Sequence, residues 1–500
     1  MMPNSSLPAP PNSLDRSWFP ISIVWFSAVA LGIFVPASLR IADGDVWVHM
    51  RNAKVLLGTH MLPRTDIYTF TTAGAPLINF EWLSEIPYYL AFRIWDLRGL
   101  LAVYLVLLWL IFGAVYYLAL RRGADPADAA LVTLAGAVVG TFSYGPRTFQ
   151  FGWLCLAALL LVLDRFERTG KALWMLPLIF ALWINLHGSW VLGFVVLGTY
   201  IVCGLLKIDS GRVITNHWTP AELRKLLAAS GVSIAALFVN PYGYRLVLYP
   251  LELFSRQAAV RHDLTEWQSV DFHTFWGKLA MFMVLGLLAT AWFSPKPWPL
   301  RDVLLAALAV WASLTHIRFL LFAGIILVPM IAPRLRLLAS DAAVVPKPRP
   351  WLNLAATAAI AAVVIWIYPS AAQLQHIVDT QFPRDALRFM QQKQISGRLF
   401  NYYAWGGYIE WYAPEIKTFA DPRTDIFIYN GVLADYLKIN AIDEPFELLD
   451  KYKIDYVIFP VGKHLDYVLD HSADWRTIYA DNVVRLYERV RVSSPSSQEQ

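Results

Sequence analysis

Residues 20–51 read PISIVWFSAVALGIFVPASLRIADGDVWVHMR. The first part is apolar almost without a break, over the roughly 20 residues that one bilayer crossing needs. It is too long for a signal-peptide core and lacks a small-residue cleavage site, so it reads as a first membrane helix. Two carboxylates, Asp43 and Asp45, follow at the membrane face. Acids beside hydrocarbon are costly, and those that persist usually mark function.

The imbalance runs through the whole chain. Of 500 residues, 57% are hydrophobic and 16% are charged, and the mean hydropathy is +0.46. Soluble domains carry about 25% charged residues. Composition therefore excludes a cytosolic enzyme, a disordered chain, a collagen and a disulfide scaffold. The two cysteines, Cys155 and Cys203, fall in apolar stretches and offer neither a disulfide framework nor a zinc site. A net charge of +5 reads as basic loops beside membrane helices, with no nucleic acid as partner.

Apolar runs centre on 20–40, 99–120, 128–145, 149–165, 173–187, 189–206, 227–241, 277–293, 302–316, 318–333 and 351–369. The fold class expected is an α-helical polytopic membrane protein with about 11 transmembrane helices and a small C-terminal α/β domain. Arg121, Arg122, Arg165, Arg168, Lys171, Lys207, Arg212, Arg224, Lys225, Lys296, Arg301, Arg334, Arg336, Lys347 and Arg349 fall on one side. The short loops opposite carry little beyond Arg147 and Arg318. The positive-inside bias then makes the N-terminus cytoplasmic and the C-terminal domain extracytoplasmic, in a multi-pass protein of the inner (plasma) membrane.

The expected organisation is a disordered tail at 1–19 and a membrane domain at 20–370. That domain carries a first outer loop at 41–98 and a middle outer loop at 242–276. An α/β domain follows at 371–490, and a second disordered tail at 491–500. In the α/β domain the pattern predicts a helix over Pro383–Gln391 and another near Pro445–Lys453. Strands are expected at Arg398–Asn401, Lys417–Ala420, Tyr456–Pro460 and Val483–Tyr487.

The first outer loop holds most of the candidate chemistry. Asp43, Asp45, His49 and Arg51 are followed by Pro63-Arg64-Thr65-Asp66 and by Asn79-Phe80-Glu81-Trp82-Leu83. Paired carboxylates suit two tasks. They can hold a divalent cation such as Mg or Mn, here through Asp43 and Asp45, or one can act as a general base. They can equally cap a helix after a span, and spacing alone leaves these readings open. Glu81 opens an amphipathic stretch, Trp82–Trp95, that suits a helix on the membrane surface and could return Glu81 toward Asp45. Cations that could meet a phosphate lie at outer span ends: Arg147, His316 and Arg318, with Arg256 and Arg261 in the middle loop. Glu266-Trp267 of that loop could line a cavity. His187, in Asn185-Leu-His187-Gly188, marks another outer turn.

Asp45-x-Trp47-x-x-x-Arg51 after the first span resembles the first-loop acidic motif of the oligosaccharyltransferase catalytic subunit. The layout as a whole resembles the GT-C superfamily of membrane glycosyltransferases. It is most similar to bacterial GT-C-like proteins whose first loop has the form D-x-D-x-W-x-H, P-R-T-D and E-W-L. Asn240-Pro-Tyr-Gly243, Trp405-Gly-Gly-Tyr408 and Asp421-Pro-Arg423-Thr-Asp425 also fit that group.

The resemblance implies transfer of a sugar from a polyprenyl-phosphate donor, with membrane lipids as surroundings. The acceptor would be a glycan, lipid or protein of the cell envelope. It implies catalytic roles for Asp45, its neighbour Asp43, and Glu81. Substrate contacts would come from His49, Arg51, Asp66, Arg147, His187, Arg256, Arg261, His316 and Arg318. The longer stretch with which oligosaccharyltransferases recognise a peptide acceptor is absent, which argues against protein N-glycosylation. Two other classes remain: a transporter or flippase of lipid-linked intermediates, and a non-catalytic assembly protein. A transporter calls for mid-span ionisable residues and a repeat between halves; no such repeat is seen. In an assembly protein the outer acids would be dispensable.

Overall fold

A computed structural model describes residues 17–256, 265–338 and 348–490. It is 65% helix. The helices in order begin with α1 (Ile21–Ala37), α2 (Gly44–Thr59), α3 (Trp82–Arg121), α4 (Pro126–Val139) and α5 (Phe149–Thr169). They continue with α6 (Met175–Leu186), α7 (Trp190–Leu205), α8 (Pro220–Ala236), α9 (Tyr244–Arg256) and α10 (Phe275–Phe293). Next come α11 (Leu300–Thr315), α12 (Leu320–Ile331), α13 (Pro350–Trp366), α14 (Ala371–Asp379) and α15 (Arg384–Gln392). The shorter helices are α16 (Gly406–Tyr412), α17 (Thr424–Tyr429), α18 (Val432–Asn440), α19 (Pro445–Lys451) and α20 (His464–Asp470). A helix thus lies at every apolar run read from the sequence. Among the described residues, five helical segments are long and apolar enough to cross a membrane: Trp82–Arg121, Pro126–Ser143, Phe149–Thr169, Phe275–Phe293 and Ile317–Arg334.

The described residues form two compact units. One comprises 17–40, 101–250 and 265–370; the other comprises 41–100, 251–256 and 371–490. One division falls between Ser370 and Ala371, and the first loop groups with the C-terminal segment rather than with the membrane helices.

The helical unit is built around α12, in which every residue from Leu320 to Ile331 is buried. Glycines let α4 approach it. A Cβ on Gly324 would lie 2.7 Å from the Gly136 carbonyl oxygen, the close backbone approach that small residues permit between apolar helices. Helix starts follow from capping. Asp125 precedes Pro126 and accepts from the Ala127 amide, and Thr219 and Glu222 cap α8 reciprocally. A two-residue parallel ladder joins β1 (Val213–Ile214) to β2 (Trp298–Pro299).

In the second unit, four strands form a sheet: β3 (Leu399–Asn401), β4 (Tyr456–Pro460), β5 (Trp475–Ala480) and β6 (Val484–Arg489). Their order is β3-β4-β6-β5, with β3 parallel to β4 and the other pairs antiparallel. The core beneath it includes Phe400, Phe419, Phe427, Val457, Phe459, Leu465 and Tyr487, together with Leu77 from the first loop. Lys417–Ala420, expected as a strand, is not one. Only Thr418 pairs, in a single bridge to Thr69. The Asn401 side chain takes the neighbouring backbone instead, accepting from the Phe419 amide at 2.8 Å and donating to the Ala420 carbonyl at 2.8 Å. This local side-chain pairing replaces a ladder.

Helix α2 packs on α16, and Gly407 sets the approach. A Cβ on Gly407 would lie 2.5 Å from Val48 Cγ2 and 2.8 Å from the Val48 nitrogen. Trp47, fully buried, meets Tyr408 edge-on at 5.0 Å between ring centres. The surface helix expected at 82–95 is the first part of α3. It breaks where Trp95 and Asp96 leave helical geometry, Asp96 with φ of 55°. Gly99 is required just beyond, since a Cβ there would sit 2.0 Å from the Ala91 carbonyl oxygen.

Gly407→Ala is expected to destabilise the protein by about 1–3 kcal/mol through overpacking against backbone. Gly198→Ala, where a Cβ meets nothing within 4 Å, is the control and should be neutral. Thermal melting of the full chain in detergent reads both, and equal melting temperatures would refute the packing argument.

Candidate functional site: an imidazole held by acids and an arginine pair on one carboxylate

Asp43 sits in extended geometry just before α2, and its Oδ1 accepts from the Asp45 amide at 3.0 Å. It is therefore the helix cap, and it fixes the turn that presents Asp45. One turn on, His49 faces α3. Its Nδ1 lies 3.1 Å from Glu85 Oε1 and its Nε2 lies 3.6 Å from Glu81 Oε2. Glu85 is buried and also accepts from Asn52 Nδ2 at 2.9 Å and Asn79 Nδ2 at 2.7 Å. Asn79 Oδ1 in turn accepts from the Glu81 amide at 3.2 Å. Burial opposes charge on His49. The Glu85 hydrogen bond and the charges of Glu81, Glu85 and Asp45 outweigh it and push the imidazole up to about 9. The result is an imidazolium locked between two carboxylates at neutral pH.

Glu85 and Asn52 are the residues the sequence reading missed. The signal for Asn52 is spacing: it lies three residues after His49 on α2, so the two share a face.

Asp66 is enclosed. It accepts from the Tyr68 amide at 3.1 Å, from Thr69 Oγ1 at 2.5 Å and from Thr72 Oγ1 at 2.7 Å, and it pairs with Arg423 at 2.9 Å. Burial works against its charge, but Arg423 and these donors hold its carboxyl below the ordinary value. Arg423 also grips Asp421, through Nε at 2.8 Å and through Nη2. Nearby Glu410 is buried and accepts from Thr418 Oγ1 at 2.8 Å. Burial and the Asp421 charge push Glu410 well above its usual range, against the pull of Arg423. Arg51 lies with its guanidinium carbon 5.7 Å from the Tyr68 ring centre.

The second cluster lies wholly in the helical unit. Arg147, between α4 and α5, donates to Glu266 Oε2 at 3.0 Å. Arg318, between α11 and α12, donates to Glu266 Oε1 at 3.0 Å. One carboxylate thus bridges two guanidiniums. Arg318 stacks over the Trp267 ring at 4.5 Å. His316 Nδ1 donates to the Trp267 carbonyl at 2.7 Å and so fixes that residue. Burial disfavours charge on Glu266, yet Arg318 and Arg147 hold its carboxyl below the ordinary value.

Other expected contacts are placed as follows. His187 ends α6, and its Nδ1 accepts from the Ser189 amide at 3.0 Å, shaping the turn into α7. Arg256 is the last residue of α9, and its side chain lies outside the described residues, as does Arg261. Among the described residues no group of three or more His, Cys, Asp or Glu is arranged to hold a metal ion.

The raised His49 value has a direct consequence. In the unfolded chain the imidazole titrates near 6.5 and in the folded chain near 9. Its stabilising contribution is complete below the lower value and is lost as pH rises through the upper one. Melting temperature should therefore fall between these limits in the parent and fall less in Glu85→Gln. Parallel melting curves across that range would refute the imidazolium.

No protein-family model and no curated protein matches the chain. Comparison with solved structures is informative. The crystal structure of ArnT from Cupriavidus metallidurans bound to undecaprenyl phosphate overlays with a TM-score of 0.50 at 14% sequence identity. The alignment covers 94% of this chain and 98% of that one. The apo structure of the same protein gives 0.49 at 15% identity over the same shares. Over nearly its whole length, the chain shares the fold of ArnT.

Proposed function

We propose that the chain is an inner-membrane glycosyltransferase that moves a sugar from a polyprenyl-phosphate donor to an acceptor of the cell envelope. The acceptor class is a glycan, lipid or protein. The observation that carries this reading is the convergence of Arg147 and Arg318 on one carboxylate. Guanidiniums cannot shed their charge, so a pair of them is a seat for an anion, and planar forks suit phosphate oxygens. The fold shared with ArnT, which was solved with undecaprenyl phosphate, supports a polyprenyl phosphate as that anion. The basic loops favour an orientation with the N-terminus inside and the C-terminal segment outside.

The chemistry assigns each group a task. In the transfer, the bond from sugar C1 to the phosphate oxygen breaks with inversion as an acceptor hydroxyl attacks C1. Asp45 takes the hydroxyl proton as general base. Asp43 holds the turn that carries Asp45. Glu81 and Glu85 keep His49 charged and fixed beside it. The phosphate leaves with the electron pair, and Arg147 and Arg318 stabilise its growing charge. Arg51 supports the loop through Tyr68.

Asp45→Asn is expected to lower transfer by about a hundredfold to ten-thousandfold, the usual worth of a general base, with expression and melting temperature kept. Transfer is read as the envelope glycan profile of cells carrying each form. An unchanged profile would sink the enzyme reading. Arg318→Ala should weaken binding of undecaprenyl phosphate about tenfold to a hundredfold, as expected for a lost charge-assisted hydrogen bond. Equal affinity in the parent would remove the phosphate role.

A further inference from the structure

Both ends of α12 carry cations, and the two ends hold them differently. Before its start, Arg318 pairs with a carboxylate. Beyond its end, the cations are tied to backbone. Arg334 Nη1 donates to the Met330 carbonyl at 2.7 Å, and its Nη2 donates to the Pro297 carbonyl at 3.0 Å. Lys296 Nζ donates the other way, to the Pro333 carbonyl at 2.6 Å. The turn after α10 and the end of α12 are thus strapped together in both directions. Arg334 also lies over the Trp298 ring, 3.8 Å from its centre. Arg336 follows on a turn fixed by Asp128, whose Oδ1 accepts from the Leu337 and Leu338 amides at 3.2 Å and 2.8 Å.

Late-helix carbonyls attract cations, which accounts for Lys296 and Arg334 but not for Arg336. Among the described residues none of the three has a carboxylate within ion-pair distance. Asp302 is engaged with Arg122 and Arg301, at 3.4 Å from each. Burial and the charges of Arg334 and Arg336 hold the Lys296 ammonium below its ordinary value. Lys296 and Arg336 are exposed. So are Trp292 and Phe293 at the end of α10, and Leu337 and Leu338 beside Arg336. Phe275–Phe293 and Ile317–Arg334 are both long and apolar enough to cross a membrane. The cations therefore stand where two such segments end.

We infer that Lys296, Arg334 and Arg336 form a binding site for the phosphodiester headgroup of an anionic phospholipid. The inference rests on the chain lying in a membrane, and not on the carrier-phosphate role of Arg147 and Arg318. Arg318 and Arg334 are 16 positions apart on one helical segment, about 24 Å along the axis, so the two places are separate. Phosphate oxygens accept charge-assisted hydrogen bonds from the Lys296 ammonium and the Arg336 guanidinium. The carbonyl straps orient Lys296 and Arg334 beforehand, and the flanking aromatic and leucine side chains meet the lipid at headgroup level. A choline headgroup brings its own cation into the cluster, so the selection is for net negative charge.

The test is titration of the purified full-length protein in detergent with phosphatidylglycerol. Bound lipid is read by native mass spectrometry, and melting temperature checks the fold. The parent should bind phosphatidylglycerol at least about tenfold more tightly than phosphatidylcholine or inorganic phosphate. Arg336→Gln and Lys296→Gln should each weaken it about threefold to tenfold, the usual worth of one cation near an anionic lipid surface, and Arg336→Lys should keep most of the affinity. Lys171→Gln, which removes an exposed cation in the turn after α5, should bind as the parent does. Arg318→Ala should keep its phosphatidylglycerol affinity whatever it does to the carrier. Should Lys296→Gln fail to fold, Arg336→Gln, at an exposed side chain, carries the test. Parent-like binding in the folded glutamine variants would overturn the site. An equal loss in Lys171→Gln would overturn it in favour of general surface charge, and inorganic phosphate binding as tightly as the lipid would overturn the lipid as its occupant.

Discussion

The unit that carries the acids is organised around one buried guanidinium. Arg423 is held by Asp421 and Asp66, whose carboxylates are closed to solvent. A guanidinium placed there without partners would be prohibitively costly, and breaking such a pair typically costs about 3–5 kcal/mol. Two P-R-T-D segments, at 63–66 and 422–425, meet through this contact. Asp66 then fixes the Tyr68–Thr72 turn, Thr71 donates to the Phe419 carbonyl, and Leu77 enters the core. Two residues later, Asn79 reaches Glu85, which holds His49. The imidazolium beside Asp45 is thus placed by a chain of contacts that begins at Arg423.

The helical unit shows the same use of paired charge at both ends of α5. Beyond its start, Arg147 meets Glu266. In its last turns, Asp164 takes Arg168 at 2.9 Å and lies 3.9 Å from Arg122, which reaches Asp302 at 3.4 Å. Arg301 pairs with Glu167. The 17 residues from Arg147 to Asp164 span about 25 Å of helix. That is close to the apolar depth of a bilayer, about 30 Å. Charges confined to two layers at this spacing, with apolar helix between them, are what a membrane demands of a chain this poor in charge.

Much of this was legible in the sequence where one physical signal dominates. Apolar runs of ten residues or more became helices because nothing else satisfies backbone groups in an apolar setting. Helix α15, with Ala386, Leu387 and Met390 buried, follows its amphipathic pattern. The helices α17, α18 and α20 and the strand β5 were not read from the sequence. The grouping of the first loop with the C-terminal segment was hidden because it depends on contacts such as Thr71 with Phe419, 348 positions apart. Within the site, the acids after the first span were readable from their position beside hydrocarbon. Glu85 was not, because its meaning lies in His49, 36 positions earlier. Asp43 and Asp45 look alike in sequence, and only backbone geometry makes one a cap.

The two charged clusters handle their charge differently. Around Arg423, three carboxylates face one guanidinium in a buried setting. Glu410 is pushed well above its usual range, so part of the surplus is removed by a proton. Around Glu266 one carboxylate bridges two guanidiniums in a partly open setting. Arginine does not give up its proton at any physiological pH, and the two arginines hold the Glu266 carboxyl below its ordinary value. That contact therefore keeps its charges, whereas the Arg423 cluster sheds part of its own through Glu410 and holds the fold.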